Sequence, residues 1–329
     1  MVNLALLGAG RIGQVHARAI ANSNHGKLAA VFDPVEQAAR ALVAQYSGRV
    51  ANLDEILGDP GIDGVLICTP SDTHADLIRQ VVSAGKAAFC EKPIATDVAT
   101  TQTVLDHVAD AQGTLMLGFQ RRFDPSFIAL KERLAEGSMG ALESLLITSR
   151  DPAAPPYSYM LSSGGLFKDM TIHDFDVARW LIDQPIQSVY AVGGALTDPQ
   201  VATQGQDIDT ASIIMTTASG VQCTILNSRR ATYGYDQRIE VLCAGGMLQA
   251  QSHHENSLVV SDAQGMSQAP LQNFFMTRYV QAYAAEIEHF VTCLAEKRAP
   301  RVTGQDGIEA LKLAEAAYQS LHSGQVVRL

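Results

Sequence analysis

Hydrophobic and polar positions along residues 1 to about 118 alternate between short apolar runs and amphipathic stretches, the pattern of parallel strands joined by helices. The runs predict strands at Leu4–Leu7, Leu28–Phe32, Gly64–Cys68, Ala87–Cys90 and Thr114–Leu117. Helical periodicity predicts helices over Ile12–Ala21, Val35–Tyr46, His74–Ala84 and Val98–Ala111. This is the signature of a doubly wound α/β sheet. After Arg121 the pattern changes. A helix is predicted near Pro125–Ala135, a strand near Leu142–Ser149, then a Pro-rich loop at Asp151–Tyr157 and a helix within Gly164–Leu181. Strand-like runs follow at Ser188–Gly193, Thr210–Thr216, Gln222–Ser228, Arg238–Leu242 and Leu258–Val260, with no helical stretch between them. They predict a largely antiparallel open sheet. One of its faces has to be covered by the helices Tyr279–Leu294 and Gly307–Leu321 or by a second subunit. The expected organisation is a dinucleotide-binding domain over residues 1–120 and an α+β domain for substrate binding and oligomerisation over 121–329.

Two features within this frame carry chemistry. Gly8-Ala9-Gly10-Arg11-Ile12-Gly13 follows an apolar strand and opens a helix, the context in which G-x-G-x-x-G marks a dinucleotide site. Gly8 permits the tight turn, Gly10 lets the backbone approach a pyrophosphate, and Gly13 allows close helix–strand packing. Asp33 ends the second predicted strand about twenty residues after Gly13, where a carboxylate accepts hydrogen bonds from a ribose diol and repels a 2′-phosphate. Pro34 and Val35 follow it in place of an arginine, which favours NAD over NADP. The alternative is a turn aspartate before Pro34. The second feature is Gly164–Leu181, which sets Asp169, His173 and Asp176 at spacings of four and three, on one helical face. A carboxylate there orients and charge-matches an imidazole, an arrangement suited to proton transfer. The alternative is a surface helix with acidic caps and a core histidine.

Composition narrows the function. The chain is 47% hydrophobic and 18% charged, and no apolar run approaches the roughly 18–20 residues of a membrane span. A net charge of −10 opposes nucleic-acid binding, and the pairs Arg121-Arg122 and Arg229-Arg230 are too short to make a basic face. The five cysteines are widely spaced and form no Cys-x-x-Cys, so they read as buried thiols. His253-His254-Glu255 lacks a further ligand at metal-site spacing, so no metal is expected. The N-terminus reads as a first strand with no signal peptide, which implies a cytoplasmic protein acting on a small molecule.

With those residues in hand, the chain resembles the family of glucose–fructose oxidoreductase, inositol dehydrogenase and rhizopine catabolism enzymes nearly end to end. The resemblance is carried by the glycine turn, Cys68-Thr69-Pro70 followed by His74, Glu91-Lys92-Pro93-Ile94-Ala95, Gly118-Phe119-Gln120-Arg121-Arg122-Phe123 and the Asp169/His173 helix. Within the family, Gly164–Leu181 and Tyr233-Gly234-Tyr235-Asp236-Gln237-Arg238 look most like the inositol 2-dehydrogenases. The resemblance implies hydride transfer between a ring carbinol carbon and nicotinamide, most simply myo-inositol to 2-keto-myo-inositol with NAD. Lys92, Asp169 and His173 match the family's catalytic set, and Thr69, Pro70, His74, Glu91 and Lys92 join Gly8, Gly10, Arg11, Ile12, Gly13 and Asp33 on the cofactor side. Asp176 matches a position that touches substrate hydroxyls. Arg122 and Tyr233 are candidates for the same pocket, or else packing residues. Another inositol isomer or sugar, or a non-catalytic sensor on the same fold, are the competing readings. A homodimer or homotetramer is the expected assembly.

Overall fold

The computed structural model describes residues 1–329. The chain divides into two compact units: Met1–Asp124 with Val280–Leu311, and Pro125–Tyr279 with Lys312–Leu329.

The first unit is built on β1 (Val2–Leu7), α1 (Arg11–Ala21), β2 (Gly26–Phe32), α2 (Glu36–Tyr46), β3 (Arg49–Val50), α3 (Leu53–Gly58), β4 (Gly64–Ile67), α4 (His74–Ser83), β5 (Ala87–Glu91), α5 (Val98–Asp110) and β6 (Leu115–Gly118). Its six strands are all parallel in the order β3-β2-β1-β4-β5-β6, two right-and-left halves wound outward from β1 and β4. Leu4, Leu6, Leu7, Val65, Leu66, Ile67, Phe89 and Leu117 are inaccessible to solvent, which is why these strands read as continuous apolar runs instead of alternating ones. Beyond the sequence expectation lie β3 and α3, the latter opened by a capping box in which Asn52 and Glu55 satisfy each other's backbone N–H groups.

The second unit contains α6 (Pro125–Ala135), β7 (Leu142–Arg150), α7 (Tyr157–Ser163), α8 (Ile172–Ile182), β8 (Ile186–Gly194), α9 (Gln200–Gln204), β9 (Thr210–Thr217), β10 (Gln222–Ser228), β11 (Asp236–Cys243), β12 (Gly246–Ala250), β13 (Val259–Asp262), β14 (Gly265–Gln268) and α10 (Phe275–Arg278). After α11 (Val280–Glu296) the chain runs through α12 (Gly304–Ser323) to β15 (Val327–Arg328). The main sheet has the order β12-β11-β7-β10-β9-β8-β15, antiparallel throughout except for the parallel pair β7 and β10. Its inner face is pinned by a buried polar cluster. Asn227 on β10 accepts from the Thr171 hydroxyl at 2.6 Å and donates to Asp174 at 2.8 Å, which fixes α8 on the sheet.

Three sequence expectations are corrected. Leu258–Val260 belongs to a separate two-stranded hairpin, β13 with β14, exposed along its length. The short helix α9 interrupts the strand series. The helix predicted at Tyr279–Leu294 does not cover the antiparallel sheet: α11 groups with the first unit, where Glu288 bonds Ser23 and His25, and Tyr283 meets the His16 ring edge-on at 5.5 Å. Periodicity reveals that a helix has a buried face, and the partner of that face is set by contacts hundreds of residues away.

One residue of α11 is unusual. Glu286 is fully buried and neither carboxyl oxygen finds a hydrogen-bond partner. Burial first, and the Glu91 carboxylate second, push its carboxyl well above the ordinary range, so it is held neutral. An acid with a raised folded value stabilises the fold fully below its unfolded value, and that stability is lost as pH rises through the window above it. Glu286→Gln therefore leaves Tm near wild type at pH 4.5, the ordinary glutamate value, and raises it increasingly as the pH climbs above that value, at roughly 2–4 °C per kcal/mol. Thermal melts across pH check this; a variant destabilised equally at every pH would show that Glu286 is ionised in the fold.

Candidate active site

The predicted cofactor residues gather at the carboxyl ends of β1, β2, β4 and β5. The turn after β1 is so tight that a Cβ on Gly8, whose φ is +95°, would lie 2.5 Å from the Cys68 carbonyl oxygen, and one on Gly13 would lie 2.0 Å from that of Gly8. At Gly10 the Cβ position meets nothing within 4 Å, so the backbone here faces open space. Gly10 is the N-cap of α1, no side chain caps that end, and the first turn carries no acid. The free N–H groups and the positive end of the helix dipole are thus left to a ligand. By contrast α5 is capped by Asp97, which accepts from Thr100 N at 2.7 Å.

Asp33 braces this turn. Its Oδ2 accepts from Ala9 N at 2.7 Å and its Oδ1 from Val35 N at 2.8 Å, and each oxygen keeps a second lone pair. Arg11 is exposed and Ile12 half-buried. After β4, Thr69 is half-buried and Pro70 exposed, while His74 is buried with its ring nitrogens 2.7 Å from the Pro93 and 2.9 Å from the Thr69 carbonyl oxygens. His74 therefore ties the loop after β4 to the loop after β5. In that second loop a cis peptide joins Lys92 to Pro93. Glu91 Oε1 lies 2.6 Å from Nε2 of His16 on α1, so the residue before the half-buried Lys92 is anchored to the helix that follows the glycine turn. Arg122 is buried and donates to Asp306 at 2.9 Å, an ion pair of the kind expected for a packing residue.

In the second unit Asp169 sits in a π-helical turn, Phe167–Thr171, that leads directly into α8, which carries His173 and Asp176. Such turns are rare and concentrate at functional sites. Asp169 and His173 are half-buried, and Asp176 is fully buried. Asp169 has partners that sequence reasoning missed: the Tyr159 hydroxyl donates to Oδ1 at 3.0 Å, and Arg229 approaches Oδ2 with both terminal nitrogens at 3.3–3.4 Å. Tyr233 is about half exposed, but its hydroxyl donates to Asp236 and accepts from Arg150, both at 2.7 Å. Asp236 is held below the ordinary carboxylate range by bonds from Arg238, Tyr233 and Ser252, which outweigh its burial. No group of three or more His, Cys, Asp or Glu side chains is placed to hold a metal ion, and all five cysteines are free and buried.

A family model described as an oxidoreductase family with an NAD-binding Rossmann fold matches residues 2–119, and a second, the GFO/IDH/MocA C-terminal domain, matches 127–249. Inositol 2-dehydrogenase from Rhizobium meliloti (strain 1021) is 47% identical over 320 residues, 97% of each chain. The chain belongs to the Gfo/Idh/MocA oxidoreductase family. Among solved structures, a myo-inositol dehydrogenase from Corynebacterium glutamicum superposes with a TM-score of 0.95 at 39% identity, over 100% of this chain and 99% of that one. A scyllo-inositol dehydrogenase from Lactobacillus casei, solved with NAD(H) and scyllo-inositol, gives 0.92 at 30% identity over the same shares.

The first unit of this family member fits NAD. Gly10 leaves room for the pyrophosphate, the uncapped α1 offers it N–H groups, and Asp33 retains acceptor capacity for a ribose diol. Asp33→Ala is expected to weaken NAD binding, because Ala9 N–H loses its acceptor, and to raise the NADP/NAD ratio of kcat/KM about tenfold, the factor given by ~1.4 kcal/mol of relieved repulsion. Steady-state kinetics with both cofactors measure it; equal wild-type kcat/KM values would show that Asp33 does not face the ribose.

Proposed function

We propose that this enzyme oxidises a ring secondary alcohol of a cyclitol with NAD, converting myo-inositol to 2-keto-myo-inositol. The observation that carries the reading is the half-buried His173 one turn after an Asp169 carboxylate held on both oxygens, in a chain whose other unit carries a dinucleotide turn. Relatives named for inositol oxidation support the substrate class. A secondary alcohol loses hydride readily only as its hydroxyl proton departs. Neutral His173 takes that proton, and Asp169 orients the ring and stabilises the imidazolium that forms. Lys92 sets an ammonium charge against the developing alkoxide. Asp176, on the same face of α8 as His173, accepts from a substrate hydroxyl, which suits a polyol. NAD, when bound, accepts the hydride. Arg122, ion-paired with Asp306, and Tyr233, bonded to Asp236 and Arg150, are read as packing residues.

A relative solved with scyllo-inositol favours a second reading, another isomer as the preferred substrate. A panel of inositol isomers and aldoses assayed with NAD separates the two. His173→Ala is expected to lower kcat by roughly 10²–10⁴-fold, the usual worth of a general base, while NAD affinity stays near wild type. Wild-type oxidation rises with pH as His173 loses its proton. Near-normal turnover of His173→Ala with inositol would remove the proton-transfer role.

The five free thiols suit a reducing compartment, and we assign the enzyme to the cytoplasm. We also infer a dimer or tetramer. The outer face of the open sheet presents Val192 and Ile214 on the adjacent β8 and β9, and Leu242 and Met247 on the adjacent β11 and β12, all at 42–50% exposure. Light scattering at micromolar protein is expected to give at least twice the 35.2 kDa of one chain; a single-chain mass would overturn the assembly.

A further inference from the structure

Arg229 follows β10 directly and its side chain is only 1% exposed. Its backbone N–H donates to the Asp209 carbonyl at 2.8 Å, which fixes where the side chain starts. The guanidinium then stands between two carboxylates, with Asp169 Oδ2 at 3.3 Å and Asp207 Oδ2 at 4.0 Å from Nη2. Asp207 is itself buried, and its Oδ1 accepts from the Tyr318 hydroxyl of α12 at 3.3 Å. A buried cation is tolerable only when paired, so Asp169 is committed to neutralising Arg229 as well as to serving His173.

We propose that Arg229 is a positioning residue for the reaction, fixing Asp169 through Oδ2 and drawing off part of the negative charge that Asp169 directs at His173. The inference rests on His173 being the base. A carboxylate with no cation on Oδ2 favours imidazolium, a form that cannot accept the substrate proton. A cation on that oxygen moves the balance back towards neutral imidazole. Asp207 opposes this by sharing the cation, although burial raises its carboxyl above the ordinary value. Of the other ionisable groups on these elements, Tyr159 of α7 donates a neutral hydroxyl to Asp169, Lys168 pairs with Glu315 of α12 at 3.7 Å, Asp174 is bonded to Asn227 of β10, and Asp176, on the same face of α8 as His173, adds a carboxylate that is the same in every variant.

The test compares Arg229→Gln, Arg229→Lys and Asp207→Asn by the pH profile of kcat/KM for myo-inositol oxidation at saturating NAD, and by NMR titration of the histidine rings. The His173 signal, one of nine histidines, is assigned by its loss in His173→Asn. In Arg229→Gln the ascending limb is expected to move about one pH unit higher, a roughly tenfold loss on the acid side that disappears on the alkaline plateau. Arg229→Lys keeps the limb in place, since the charge is kept. Asp207→Asn moves it lower, because Arg229 then leans on Asp169 alone. The NMR midpoint of His173 follows the same directions. A role confined to packing would lower activity equally at every pH, and an unmoved limb and midpoint in folded Arg229→Gln overturns the proposal. If that variant does not fold, an unmoved limb and midpoint in Asp207→Asn overturns it instead. Failure of the base assignment is separate: it shows as retained turnover in His173→Asn, while the Arg229 variants still report on the charge of the His173 ring.

Discussion

A single methyl group has no room in the turn between β1 and α1. Any Cβ at Gly13 would lie 2.0 Å from the Gly8 carbonyl oxygen, well inside contact distance, and any at Gly8 would meet the Cys68 backbone. Much of the first unit depends on this closeness. It brings α1 down onto β1 and β4, buries Val15 and Ile20, and leaves the first turn of α1 uncapped beside the open backbone of Gly10. It also brings Ala9 N within reach of Asp33 at the end of β2, so the carboxylate proposed for the ribose also braces the turn proposed for the phosphates. Cofactor recognition and the packing of the central strands are one constraint expressed twice.

The second unit uses the same device at a different place. Gly164 and Gly165 both have positive φ, and a Cβ on Gly165 would lie 2.2 Å from the Tyr318 hydroxyl and 2.7 Å from Asp207 Oδ1. That pair of glycines lets a phenol and a carboxylate press against the backbone where the helical stretch begins. The π turn follows at once and directs Asp169 towards Tyr159 and Arg229. Burial at Tyr318 and the Asp207 charge push the phenol above its ordinary value, so it stays a neutral donor at any working pH. The acid beside His173 is therefore held by a network whose charges are settled before substrate arrives, the condition under which positioning costs least during the reaction.

Legibility in the sequence follows the range of the interaction that determines each feature. Parallel strands buried on both faces read as apolar runs, so the doubly wound sheet was visible from Leu4–Leu7 and Gly64–Cys68 onward; the two-residue β3 was too short to leave a pattern. The Asn52/Glu55 capping box did mark α3, within a segment too short for periodicity. That Asp169 and His173 lie a turn apart on one helical stretch was legible because their relation is local. Arg229 was not, since 60 residues separate it from Asp169 and its neighbour Arg230, identical in type, is exposed and bonds the Thr197 carbonyl. Nothing in the dipeptide distinguishes the arginine of the interior from that of the surface. Arg122 illustrates the converse, a site candidate by resemblance that the fold pairs with Asp306, 184 residues further on.

Charge placement ties these points together. The chain carries a net charge of −10, and the buried Arg121, Arg122, Arg229 and Arg278 are matched by buried acids, among them Asp124, Asp174, Asp176, Asp209 and Asp236, so the surface keeps the acidic balance of the whole. Such a protein repels polyanions at long range. A dinucleotide bearing two phosphates then gains most from groups that attract at contact distance. The uncapped first turn of α1 supplies them as backbone N–H groups at the positive end of a dipole, which act at contact distance and fade beyond the first turn. A third phosphate, on the 2′ position, would lie beyond that reach and beside Asp33. The acidic surface, the Asp33 carboxylate and the glycine turn thus favour one cofactor, a dinucleotide with no charge on its ribose.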